Sequence, residues 1–138
     1  MAKHCLTDAY LSSNGVDLSD HLESVQYELG INSQAAAAMS ELQDYDMPGT
    51  RTVSPIQATF YQDFAASEVW ATHNALWTNR TTFSLIVKPT SGADSSTNPA
   101  FMIDVFIERM GAVTGSRGQR HMVGITYKPA GALTIDVT

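Results

Sequence analysis

FYQDFAASEVWATHNALW (residues 60–77) changes rhythm halfway along its length. Its first residues complete an alternation in which Ile56, Ala58 and Phe60 share one face, the period of two that a half-buried strand requires. Further on, Ala66, Val69, Trp70, His73, Leu76 and Trp77 recur at helical intervals and form one apolar stripe. Asp63 stands between the two patterns, where its carboxylate is placed to accept from the free amides of a first helical turn. Asn79 tolerates the left-handed conformation that ends a helix. The stretch therefore predicts a strand, a cap and one amphipathic helix, with Asp63, Trp70 and Trp77 as the structural joint. Two tryptophans on one helix face also suit base stacking, but a stacking platform needs basic neighbours and these have Glu68. Packing of the helix over a sheet is the favoured reading.

Strand patterns continue on both sides of the joint. Asn14-Gly15 is a type I′ hairpin signal, because both residues must accept positive φ. Val25, Tyr27 and Leu29 alternate with polar residues, and Pro55 marks an edge or a bulge. After the helix, Phe83, Leu85 and Val87 form one face, and a polar loop, PTSGADSSTNPA (89–100), follows. Phe101, Ile103, Val105 and Ile107 line the next strand, with Phe106 on its opposite face as a sign of partial cover there. His121, Val123, Ile125 and Tyr127, then Leu133, Ile135 and Val137, complete the set. About seven short strands with one helix between the middle ones predict a mainly β fold, an antiparallel sandwich or barrel flanked by one α-helix. The 138 residues hold neither an internal repeat nor a linker, so residues 1–138 read as one domain.

Residues 30–51, GINSQAAAAMSELQDYDMPGTR, break the alternation. Ala35 to Met39 favour helix, but the run is short and Pro48-Gly49 ends it, so a long loop with at most one helical turn is expected. Loops of this length in compact domains commonly serve a function. This one mixes small apolar residues with acids, as suits a surface buried against a neighbour. Ala35, Ala36, Met39, Glu41, Asp44, Asp46 and Arg51 are its candidate subunit-interface residues.

Charge is divided unevenly along the chain. The formal net charge is −6, yet residues 1–50 hold eight acids against Lys3 alone, while residues 51–138 hold seven bases and six acids. Such a balance disfavours binding to phosphate backbones, which depends on Lys and Arg displacing counterions, and suits a wall that repels nucleic acid. GSRGQR (115–120) is the one basic cluster; Arg117 and Arg120 read as a solvated loop, a nucleic-acid contact, or cations facing the acidic half of a neighbouring subunit. No apolar run approaches a membrane span and the first residues lack a signal-peptide core, so neither a membrane nor secretion is expected. Cys5 is the single cysteine, which precludes an intrachain disulfide.

A search for chemistry yields no catalytic, metal or cofactor residues. His4, His21, His73 and His121 show no i,i+4 pairing, and His73 on the apolar stripe reads as a packed, hydrogen-bonded side chain. Asp17/Asp20 and Asp44/Asp46 lack the ligand order of a calcium loop, and no phosphate-cradling glycine motif is present. A small hydrolase or ligand-binding barrel would need convergent polar groups in a pocket, and no strand offers them.

Four blocks in order, NGVDLSDHLESV (14–25), FYQDFAASEVWATHNALW (60–77), TTFSLIVKPTSGADSSTNPAF (81–101) and the closing strands, resemble the tail tube (major tail) proteins of long-tailed bacteriophages. The resemblance covers roughly residues 10–138, and its distinctive elements are VDLSDH, QDFAA, and KPTS followed by TNPA. It implies a β-sandwich or barrel with one flanking helix, and hexameric rings stacked into a hollow tube through which viral DNA passes without specific binding. The implied partners are copies of the same chain and other phage tail or capsid proteins. The implied location is the virion tail, after synthesis in the host bacterial cytoplasm. A capsid decoration or cement protein using the same fold is the alternative.

Overall fold

The computed structural model describes residues 6–137; His4 and Cys5 lie outside the described residues. In chain order the elements are β1 (Tyr10–Ser13), β2 (Val16–Asp17), a 3-10 turn (Ser19–His21), β3 (Leu22–Gln26), β4 (Leu29–Ala35) and β5 (Asp46–Val53). There follow β6 (Ile56–Tyr61), α1 (Val69–Thr78), β7 (Phe83–Lys88), β8 (Ala100–Met110), β9 (Met122–Pro129) and β10 (Thr134–Asp136). Eight strands make one antiparallel sheet in the order β2-β1-β7-β8-β9-β6-β3, with β10 paired to the start of β8. This is the mainly β, antiparallel class expected, with its single helix between β6 and β7. The strands beyond the expected seven are the brief β2 and a separate pair, β4–β5, in the segment read as a loop.

Local chemistry explains the main sheet. Asn14 and Gly15 have φ of 50° and 82°, the left-handed pair that turns β1 into β2. Alternate residues point inward: Ile56, Ala58 and Phe60 on β6, Phe83, Leu85 and Val87 on β7, and Val123, Ile125 and Tyr127 on β9 are all buried. On β8 the expected face narrows to Ile103 and Val105, with Phe101 and Ile107 half-buried and Phe106 exposed. On the closing strand, Ile135 and Val137 are exposed. Each fully buried aliphatic or aromatic side chain contributes roughly 1.5–3 kcal/mol. The loop after β7 is fastened by buried Asn98, whose Nδ2 donates to the carbonyls of Thr90, Gly92 and Ala93 while its Oδ1 accepts from the Thr90 amide.

The sheet curls around α1, and His73 marks the centre of the contact. Its Nε2 lies 2.7 Å from the Tyr127 hydroxyl and 3.2 Å from Ser13 Oγ, while Nδ1 lies 2.8 Å from the carbonyl of Val69. Its ring also packs on Phe60 and Tyr127. One side chain of the helix thus touches β1, β6 and β9. With Nδ1–H donating to Val69, Nε2 accepts from Tyr127, so the neutral imidazole fits this site and the cation does not. Burial pushes its pKa down to about 4, although the bond to Val69 acts in the opposite sense.

The joint differs from expectation in three particulars. Asp63 does not cap the helix: Glu68 occupies the N-cap position without a side-chain bond, and Asp63 Oδ1 instead accepts from the Ala65 amide at 2.9 Å. The chain needs an extra turn to leave the sheet before it can coil, and Ser67 takes a φ of 62° within it. Trp77 is 54% exposed, because the curled sheet covers only the arc of Val69, His73 and Leu76; Trp70 is half-buried against Phe64. Asn79 stays right-handed at φ −86°, and Arg80 takes the positive φ that ends the helix.

Asp63 has a second role, paired with His21 across the joint. His21 Nε2 is 3.0 Å from Asp63 Oδ2, and Nδ1 is 2.9 Å from Asp20 and 3.4 Å from Glu68. Carboxylates therefore face both ring nitrogens, which only the doubly protonated imidazolium satisfies. Partial burial lowers the pKa of His21, but the hydrogen bonds to Asp20 and Asp63 and the charges of Asp20 and Glu68 outweigh it, and the net direction is upward from 6.5. The Ala65 amide holds Asp63 below the usual carboxylate range; desolvation opposes it, and the hydrogen bond and charge of His21 add to the lowering.

The two histidines give opposite pH dependences. His73 binds its proton more weakly when folded, so its contribution is complete above pH 6.5 and falls away as pH drops towards about 4. The loss amounts to roughly 3 kcal/mol, and His73→Gln should flatten it in melting curves taken across that window. Tyr127→Phe should cost about 1–3 kcal/mol by stripping His73 of its main partner. His21 binds its proton more tightly when folded, so its contribution is present below pH 6.5 and lost as pH rises through the elevated value. His21→Gln should remove roughly 0.2–1 kcal/mol at pH 6 and nothing measurable at high pH, with NMR titration of the ring protons reading both shifts directly.

Candidate functional site

The segment expected to be a loop is a β-hairpin arm. Beyond the β3–β6 pair the two chains continue, joined by the Ser54 amide donating to Glu28 O at 3.1 Å, and then pair only with each other as β4 and β5. Pairing runs from Leu29↔Val53 to Ala35↔Asp46, with a bulge between Ile31 and Ser33. Pro48 and Gly49, expected to close the loop, lie inside β5. A two-stranded ribbon leaves one edge of each strand unpaired, and that tolerates proline. Gly49 fits the bulge, since a Cβ there would lie 2.9 Å from Asn32 O. At the tip the Ala36 amide donates to Tyr45 O and the Glu41 amide to Ala38 O, so no helix forms around Ala35–Met39.

This arm gathers seven of the nine candidate interface residues. Ala35, Ala36, Met39, Glu41, Asp44 and Asp46 cluster at or beside the tip, and Arg51 lies near the root. All but half-buried Ala36 are exposed, and Met39 is 106% exposed. Sequence reasoning missed Leu42, which matches Met39 at 106%, and the exposed Leu29 and Ile31 of β4. The signal for Leu42 was an apolar residue set between Glu41 and Asp44 in a segment with no strand partner.

Arg117 and Arg120 sit apart from the arm, on the exposed loop between β8 and β9. The Arg120 guanidinium donates to the Tyr61 hydroxyl at 2.6 Å and lies over its ring. Beside them Phe64, 55% exposed, stacks between Trp70 and His121.

At the root of the arm an apolar groove of about 910 Å³ opens between the ribbon and the segment running from Pro129 into β10. Leu29, Ile31, Val53, Leu133 and Ile135 line it, and Arg51 is the one charged residue among its walls. Near it, Tyr27 stacks on Phe101; burial pushes its pKa up to about 12, and its hydroxyl has no hydrogen-bond partner among the described residues.

Asp20, His21 and Glu68 each place a ligand atom within 4.8 Å of the others, but carboxylates engage both nitrogens of His21, and the imidazolium this favours is no metal ligand. His73 is sealed in the core. Among the described residues no helix is long and apolar enough to cross a membrane. What the surface offers is a projecting arm with bare apolar side chains, a groove, and a basic loop.

No protein-family model matches the chain, and no curated protein matches it. Solved structures do share its fold. A chain of the virion of a native gene transfer agent particle superposes with a TM-score of 0.72 at 12% identity, covering 94% of this chain and 96% of that one. A chain from the sheath/tube terminator of an extracellular contractile injection system, in its extended state, gives 0.73 at 11% identity and covers 99% of both. A third, from the C6-symmetric tail of an empty gene transfer agent particle, gives 0.65 at 12%, covering 85% and 83%. The chain has the fold of tail and tube-terminator assemblies, and the resemblance to tail tube proteins read from its sequence is matched at the level of fold.

Proposed function

We propose that this chain is a phage tail tube subunit, a structural virion protein that works as one β domain and self-assembles into stacked rings. The observation that carries the reading is the agreement in fold with tail structures along nearly the whole chain, joined to an arm that leaves Leu29, Ile31, Met39, Leu42 and Met47 exposed. The C6 symmetry of one similar tail favours rings of six. The rings form the conduit for viral DNA: a formal charge of −6 per subunit repels the phosphate backbone and prevents sticking in transit. Other tail proteins are the remaining partners, the virion tail is its location, and the host bacterial cytoplasm is where it is made.

Within this reading the acidic tip of the arm, with Glu41, Asp44 and Asp46, meets Arg117 and Arg120 of a neighbouring subunit. Such a contact joins different patches on the two copies, so it propagates rather than closing as a two-fold dimer. A second reading, a terminator that ends a tube, is supported by the fold shared with the sheath/tube terminator structure over 99% of this chain.

Negative-stain microscopy of the purified protein decides between them. Stacked rings or tubes are expected of a tube subunit and single rings of a terminator; a monomer at every concentration would overturn both. Reversing the loop charges with Arg117→Glu and Arg120→Glu should weaken stacking by about tenfold or more in sedimentation, since close charge pairs across interfaces contribute about 1.5 kcal/mol upward. Unchanged assembly would exclude this charge pairing while leaving the tube reading intact.

A further inference from the structure

We propose that His21 works as a proton-operated clasp on the joint between β6 and α1, holding residues 63–68 against the 3-10 turn when its imidazole is charged and freeing one end of them when it is neutral. A single subunit suffices for this, so the device goes beyond the assembly reading and stands independently of it.

The joint is fastened from outside at its two ends. Asp63 begins it and Glu68 ends it, and His21 meets both: Nε2 lies 3.0 Å from Asp63 Oδ2, and Nδ1 lies 3.4 Å from Glu68 Oε2. Apart from bonds within the segment and to adjoining Gln62 and α1, every hydrogen bond and ion pair that residues 63–68 make with other described residues goes to His21. Phe64 adds ring contacts with Trp70 and His121 but is itself exposed. Between the two ends Ser67 takes a φ of 62°, a conformation that costs free energy at any residue but glycine, so the closed joint depends on its fastening.

Geometry makes that fastening depend on the proton. The charged ring donates from both nitrogens and the neutral ring from one alone. Because Asp63 and Glu68 face opposite nitrogens, either neutral tautomer turns a lone pair toward a carboxylate at one end of the joint. The Nε2–H form keeps Asp63 and loses Glu68; the Nδ1–H form keeps Glu68 and loses Asp63. Charge acts in the same sense. Asp20, on the turn itself, lies 2.9 Å from Nδ1, and among the described residues no Lys or Arg pairs with any of the three acids. Asp17 and Glu23 line a groove with Asp20, form no ion pair with the ring, and add only negative charge nearby. Loss of the proton therefore leaves three converging carboxylates with no cation between them, and like charges at such range repel. The folded protein holds this proton more tightly than free imidazole does, so the clasp is closed below pH 6.5 and opens as pH rises through the elevated value.

Hydrogen exchange of the full chain, resolved to single amides by mass spectrometry, tests the clasp. The Ala65, Glu68 and Trp70 amides donate inside the joint and report its closure. The Thr90 amide, held by Asn98 in a loop without a histidine, is the reference that cancels the chemical rise of exchange with pH. Relative to Thr90, the joint should exchange about two- to fivefold faster at about pH 9 than at about pH 6. His21→Lys, charged at both values, and His21→Gln, charged at neither, should each abolish this pH dependence. A wild-type joint that exchanges alike at both values would overturn the clasp. His121, in contact with Phe64, is the other titrating ring beside the joint; a pH dependence that survives in either variant would belong elsewhere and would equally overturn the assignment to His21.

Discussion

A single helix lies against a curled sheet, and the hydrogen bond between His73 and Tyr127 fixes how the two fit. The 2.7 Å contact joins α1 to β9, and Ser13 extends it to β1 at the far side of the curl. Apolar packing would hold the helix down in several rotations, because it has no directional preference. A buried polar group admits only the arrangement in which its partners are met, since an unmet one costs about 1–3 kcal/mol. The three groups thereby define which face of α1 turns inward, and Trp77 lies outside that arc.

The same core explains why the arm must look outward. Strands β3 and β6 are held by the sheet as far as Gln26 and Ile56, and beyond them no strand or helix remains to cover a continuing ribbon. Two strands alone have no interior, so the hairpin keeps its shape through ladder bonds and the Gly49 bulge, with little burial behind it. An isolated ribbon of that kind is marginal in water. The exposed Ile31, Met39, Leu42 and Met47 are side chains that the proposed assembly would cover.

The degree to which the sequence disclosed all this follows from the same physics. Strands β6, β7 and β9 bury one face each, and burial is what writes alternation into a sequence; their inward residues were readable one by one. Asn14-Gly15 was readable because positive φ restricts the choice of residue. The arm was not: neither face is buried, no alternation is selected, and alanine propensity pointed to a helix that the ladder overrides. The cap at Asp63 was misread because its partner, His21, lies 42 residues earlier, and no local pattern records such a pair. Periodicity on α1 named a stripe, but the width of the covered arc depends on the curl of the sheet. The interface acids were legible as a charge imbalance; Leu42 and the groove at the arm root were not, since a concave surface built from β4, β5 and β10 exists only after folding.

Charge then sets a condition on any assembly of these subunits. Each copy adds a formal −6, so gathering copies raises a mutual repulsion that salt screens over about 8 Å at physiological ionic strength. Cations available to offset it are few: Arg51, Arg109, Arg117 and Arg120 are exposed on or beside the arm and the β8–β9 loop. Guanidiniums set against specific acids fix direction and register, at about 1.5 kcal/mol upward for a close pair across an interface, but they are too few to offset the charge of every copy. The larger share of the attraction must therefore come from apolar surface withdrawn from water, at roughly 25 cal/mol per Å². On this molecule the arm carries Leu29, Ile31, Met39, Leu42 and Met47 in the open, and Phe64, Trp77 and Val113 add exposed apolar surface elsewhere. In the proposed assembly, acids spread over the surface would repel DNA while exposed apolar side chains, those of the arm among them, would supply the adhesion between copies.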